Sequence, residues 1–161
     1  MQFKVGEIKV YPHHGAAVIE SISSRVIKGE DHQCINFKVI SSGLMIELPA
    51  AMAEYVGVRD IVSPQELKKV FSLLKQPYVE EPTNWSRRFK ANVEKLASGD
   101  VFKIAEVVRD LYRRQEEKGP LSNGERRMLN KAMKELSDEV ALAEQSDSEA
   151  AEVRIRQILA A

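Results

Sequence analysis

Disulfide pairs, membrane spans and an excess of either charge are all missing from this chain of 161 residues. Cys34 is the single cysteine, so no intrachain disulfide can form, and a reducing interior suits the chain. Set between Gln33 and Ile35 in a strand-like run, it reads as an inert buried thiol. No apolar stretch reaches membrane-spanning length. Met1 to Val5 leads straight into folded-looking sequence with no signal-peptide pattern, so a soluble, cytoplasmic protein is expected. Basic and acidic residues balance at 24 each, which excludes the strongly basic type of DNA-binding domain. Aromatic residues make up only 6% of the chain, and tryptophan occurs once.

Motifs for chemistry are missing too. His13 and His14 are neighbours, and on a strand neighbours point to opposite faces, so they cannot readily ligate one metal together. With His32 in a turn and one cysteine elsewhere, no ligand set forms, and neither a metal nor a cofactor is expected. Lys28-Gly29-Glu30 lacks the length and the lysine–hydroxyl end of a phosphate loop. There is no Gly-x-Ser-x-Gly, and the carboxylates Glu80 and Glu81 sit in a proline-flanked connector where solvation is the plain reading. An enzyme is not expected.

What is present divides in two. The first fifty residues hold short runs rich in β-branched residues: Val10 to Pro12, Ala17 to Ile22, Cys34 to Ile40 and Leu44 to Leu48. Gly6, Gly15, Lys28-Gly29 and Ser41-Ser42-Gly43 punctuate them as turns. So many short strands in so few residues predict a small, strongly bent SH3-like or Tudor-like barrel over residues 1–50, with 51–62 as a connector. Residues 63–161 then read as a bundle of about five helices, which makes the fold class α+β. Ser63-Pro64-Gln65-Glu66, Asp100, Ser122-Asn123-Gly124-Glu125 and Ser146-Asp147-Ser148-Glu149 are helix starts. Arg113-Arg114 and Arg126-Arg127 have acidic neighbours and read as solvated helix faces.

The most informative stretch is Thr83-Asn84-Trp85-Ser86-Arg87-Arg88-Phe89-Lys90. It reads as the start of a helix with Thr83 as N-cap and Gly99 closing the far end. Phe89, Val93 and Leu96 recur as a buried stripe. Residues 63–118 hold twelve basic groups against nine acidic, the only net-positive third of the chain. Along the helix only Glu94 is close enough to neutralise Arg87, Arg88 and Lys90. A large aromatic at a helix start beside basic residues has the shape of a nucleic-acid wedge. Trp85 equally extends the apolar stripe, as aromatics at helical spacing usually do. Both readings stand on the residues alone.

The runs Val10-Tyr11-Pro12-His13-His14-Gly15, Ala53-Glu54-Tyr55-Val56-Gly57-Val58-Arg59-Asp60 and Glu80-Glu81-Pro82-Thr83-Asn84-Trp85-Ser86-Arg87-Arg88-Phe89-Lys90 resemble the CarD family of transcription regulators. Leu96-Ala97-Ser98-Gly99-Asp100 and Ala105 to Leu111 continue the resemblance, which runs without visible shifts to Gly119. It implies a Tudor-like domain that docks on the β1 lobe of the β subunit of bacterial RNA polymerase. It implies also a helical domain whose tryptophan wedges into the minor groove at the upstream edge of the promoter bubble, stabilising the open complex. By that resemblance Trp85 is the wedge, Arg87, Arg88 and Lys90 hold phosphate, and Arg25 faces the polymerase. Glu47 belongs to the same polymerase-facing surface but is basic in the mycobacterial pattern. The reversed charge implies a basic residue on the cognate polymerase, or greater reliance on Arg25 and the strand edge. A monomer with weak affinity for free duplex is expected. The competing reading is a protein-only interaction module in which Trp85 is core and the helices recruit another protein.

Overall fold

The computed structural model describes residues 2–77 and 84–161, which fall into two compact units, 1–61 and 62–161. The extended connector expected over 78–82, the Glu80–Glu81 pair and the Thr83 cap lie outside the described residues.

The first unit is an antiparallel sheet of five strands: β1 (Ile8–Tyr11), β2 (Gly15–Ile27), β3 (Glu30–Val39), β4 (Met45–Pro49) and β5 (Arg59–Asp60), in the order β4-β3-β2-β1-β5. β2 and β3 pair as far as Ile27 opposite Glu30, well beyond the strand ends that apolar runs predict. Lys28 and Gly29 close this hairpin with φ of 51° and 81°. Positive φ at both central residues gives the turn a twist that matches the flanking strands. A register shift between Ile19 and Ser21 bends β2 over the core.

Ala17, Ile19, Ile35, Phe37, Val39 and Leu48 alternate along the strands and meet on one face. The expected connector over 51–62 is mostly part of this unit. A 3₁₀ turn (Ala50–Met52) and a single-turn helix, α1 (Ala53–Val56), lay Ala53 against the sheet core, and Val58 joins it. β5 then pairs with β1, Lys9 opposite Asp60. Gly57, at φ 97°, ends α1 where a Cβ would stand 3.3 Å from Pro12. Tertiary packing thus recruits a segment whose own pattern is too short to announce a strand.

Among its described residues the second unit holds five longer helices, α2 (Pro64–Lys75), α3 (Trp85–Ala97), α4 (Val101–Lys118), α5 (Asn123–Glu144) and α6 (Ser148–Ala160). The α+β order expected from the pattern is therefore the observed one. α2 opens with a complete capping box between Ser63 and Glu66, and Asp100 caps α4 by accepting from the Phe102 N–H. The cap of α6 is Asp147 rather than Ser146, and Val153 on that helix is exposed. Val70, Leu74, Val107, Val108, Leu111, Leu136, Val140 and Ile155 form a buried apolar core between α2, α4, α5 and α6. Within it the Glu139 carboxylate accepts from the Val62 N–H at 2.8 Å. α3 packs chiefly on α4, where Lys95 and Glu106 pair at 3.0 Å.

Candidate functional site

α3 begins at Trp85 because Asn84 caps it: the Asn84 carboxamide oxygen accepts from the N–H groups of Ser86, at 2.9 Å, and Arg87, at 3.3 Å. The face that α3 buries is only partly the expected one. Arg88, Asn92 and Leu96 are buried, Val93 is exposed and Phe89 is half-buried. Leu96 is where the apolar pattern puts it, but the other two buried positions lie one residue before Phe89 and Val93, and both are polar.

Arg88 can occupy that position because of Glu125, three residues into α5. The two are 6% and 3% exposed, and the Arg88 Nε donates to Glu125 Oε2 at 3.3 Å. The Arg114 Nε lies 4.0 Å from the same oxygen. Oε1 of Glu125 accepts from the Ser122 hydroxyl and from the Trp85 indole Nε1, each at 3.1 Å. The N–H of Glu125 in turn donates to the Ser122 hydroxyl at 3.2 Å. Buried charge is tolerated where opposite charge and hydrogen bonds surround it, and this carboxylate has both.

Trp85 fits neither reading of the sequence in full. The residue is 45% exposed, so it is not core. Nor is it loose: the ring stacks on Phe89 with centroids 5.0 Å apart and planes 15° off parallel, and its only hydrogen-bond donor is taken by Glu125. Phe89 is placed in its turn by Gly124. A Cβ at Gly124 would come within 3.2 Å of the Phe89 ring, so glycine in the first turn of α5 leaves room for it.

Of the residues read as a basic cluster, Arg87 and Lys90 are exposed in the first two turns of α3. Arg88 is not part of that surface, since Glu125, 37 positions away, neutralises it from another helix. Arg113 and Arg114 correct the reading of solvated faces as well. Arg113 donates to the Leu74 carbonyl at 2.9 Å, and Arg114 belongs to the Glu125 cluster. Glu125 was legible only as the third residue after a capping serine. A glycine beside it, poor for a helix yet needed for a close approach, was the one hint of something more.

In the first unit, Arg25 on β2 and Glu47 on β4 are brought together across β3. Arg25 Nη1 lies 2.8 Å from Glu47 Oε1, with side chains 63% and 37% exposed. Glu47 therefore finds a basic partner within its own chain. β4, with exposed Met45 and the exposed Leu44 before it, is an edge strand of the sheet.

The family model described as CarD, C-terminal domain, matches residues 69–156, a span that holds Trp85, Arg88, Arg114 and Glu125. The chain belongs to the CarD family. A relative in Bacillus subtilis (strain 168), named "Putative transcription factor YdeB", is 30% identical over 138 residues, covering 86% of this chain and 90% of that one. The solution NMR structure of the 72-residue N-terminal domain of Myxococcus xanthus CarD matches 37% of this CarD-family chain and 79% of its own length. That match has 24% identity and a TM-score of 0.33, too loose a likeness to support an argument.

Proposed function

We propose that this CarD-family chain is a transcription regulator. In this reading it docks on the RNA polymerase β subunit through its first unit and stabilises promoter open complexes with Trp85 at the upstream edge of the bubble. The observation that carries the reading is Trp85 itself, which is half-exposed yet held at two points, at the start of a helix that also exposes Arg87 and Lys90. An aromatic surface fixed beside cations is what stacking on an opened base step requires. The protein-only alternative needs Trp85 in the core, and its exposure speaks against that.

Magnitudes explain why polymerase has to come first. Inserting a wedge into intact duplex costs a few kcal/mol of unstacking. Stacking on one base returns about 1–3 kcal/mol, so on closed DNA the two terms nearly cancel. At the edge of a bubble the stack is already broken and the favourable term remains. If none of it is present in the closing transition state, collapse slows by roughly 5- to 150-fold. Arg87 and Lys90 contribute phosphate contacts, while Arg88 acts from beneath by holding Glu125. Docking falls to the face with Arg25, Glu47 and the β4 edge, where a partner strand can pair with the backbone while side chains set specificity.

The test has two arms. Polymerase β should be captured by the chain, and adding the chain to promoter complexes should lengthen their lifetime against a DNA competitor. Free duplex should be bound weakly, with a shallow salt dependence. Tight duplex binding without polymerase, or unchanged lifetimes at saturating factor, would overturn the proposal.

A further inference from the structure

Two independent contacts define the pose of the Trp85 ring, and they restrict different motions. The stack on Phe89 fixes the plane of the indole but tolerates a flip or a slide within it. The bond from Nε1 to Glu125 does not, because only one orientation points the N–H at the carboxylate. Glu125 is fixed in place by its own surroundings: Ser122 grips it through both hydroxyl bonds, and Arg88 and Arg114 flank Oε2. Trp has a single donor, so with Nε1 turned inward the exposed part of the ring offers only carbon.

We propose that Glu125 is the positioning residue for Trp85, selecting the one ring pose that is offered to DNA, with Arg88 and Arg114 holding its carboxylate in register. The functional half rests on Trp85 acting at the bubble; the positioning half does not. A contact made by ring carbons alone is a stacking contact, so the indole itself reads no base edge.

The experiment follows the sole indole N–H resonance of the ¹⁵N-labelled full-length chain without DNA, beside open-complex lifetimes. The variants are Glu125→Met, which removes both acceptor oxygens, and Glu125→Gln, which keeps one. The indole N–H should move upfield and exchange faster with water in Glu125→Met, with Glu125→Gln between the two. Lifetimes should fall in the same order, by about 2- to 10-fold, as expected for loss of one hydrogen bond. In a Trp85→Phe background, which keeps a ring on Phe89 but has no N–H, Glu125→Gln should shorten lifetimes no further. Should Glu125→Met not fold, Glu125→Gln and the Trp85→Phe cycle decide alone. An indole resonance indifferent to Glu125, or an equal loss of lifetime in the Trp85→Phe background, would overturn the positioning role. A responsive indole with lifetimes untouched by Trp85→Ala would instead overturn the action at the bubble and leave the positioning standing.

Discussion

Arg88 and Glu125 lie 3.3 Å apart beneath the start of α3, almost wholly out of solvent, whereas Arg25 and Glu47 lie 2.8 Å apart on the open face of the sheet. The chemistry is the same and the consequences are opposite. The buried pair shares its carboxylate with an indole, a hydroxyl and a second guanidinium, so losing Glu125 breaks several contacts at once. The exposed pair is solvated on both sides and can exchange its partner for another at little cost. A wedge needs the first kind of pair beneath it, because a stacking surface must hold its pose. In the proposed docking role the second kind serves better, since a partner would have to compete with whatever already binds Arg25.

The largest effect should come from breaking the buried pair on one side. Glu125→Ala removes the buried carboxylate that Arg88, Arg114, Ser122 and Trp85 share and should cost about 3–5 kcal/mol in urea denaturation of the helical unit. Replacing both members, as Arg88→Met with Glu125→Leu, should recover much of that loss. A double variant as unstable as the single one would show that packing, not charge, is what holds this corner.

Next in size is Trp85→Ala, which forfeits the stack on Phe89 and one hydrogen bond. The loss should be about 1–2 kcal/mol by the same denaturation measurement. A larger loss, in the range of 3–5 kcal/mol for a buried aromatic, would move Trp85 into the core.

Arg25→Ala or Glu47→Ala should change stability by under about 0.5 kcal/mol, and less at high salt. Binding is where this pair should matter. Arg25→Glu should weaken capture of polymerase β by about 2 kcal/mol or more if the arginine meets a buried carboxylate there. Glu47→Arg, which places like charge beside Arg25, should also weaken capture in pull-down titrations. Capture indifferent to both changes would remove this pair from the interface.

The smallest effect concerns Glu135 on α5, a partly buried carboxylate without a surrounding cage. Burial raises its pKa above the ordinary carboxylate value, Lys131 lowers it, and Asp138 and Glu139 add to the rise. A folded-state pKa above the unfolded one means that the charged form is disfavoured in the folded protein. Stability should therefore increase as pH falls through the raised pKa and level off below the unfolded value. Glu135→Gln should stabilise the helical unit slightly at neutral pH and flatten that acid-side rise in melts across pH. A variant that is less stable at pH 7 would contradict the sign.

Much of the architecture was legible because it depends on local chemistry. Ser63 and Asp100 announced their helices by hydrogen bonds made within one turn, and the alternation of Ala17 with Ile19 and of Ile35 with Phe37 placed the sheet core. What escaped depends on distant partners. Residues 51–62 looked like a connector because Val58 and Arg59 form structure only against the sheet. On α3 Leu96 was placed, but two buried positions were each missed by one because Arg88 and Asn92 do not look like core, and nothing within a turn of Arg88 reveals Glu125. Trp85, Arg87 and Lys90 stand exposed at the start of α3, the place that a basic, aromatic helix start suggests. The carboxylate that accepts from the indole was hidden in the first turn of an ordinarily capped helix.

The most direct test is the decay of open complexes after addition of a DNA competitor, with wild-type chain against Trp85→Ala at saturating concentration and matched polymerase occupancy. The account predicts a lifetime close to the factor-free value for Trp85→Ala, against one roughly 5- to 150-fold longer for the wild type. Equal lifetimes for the two, with both chains folded and bound, would contradict it.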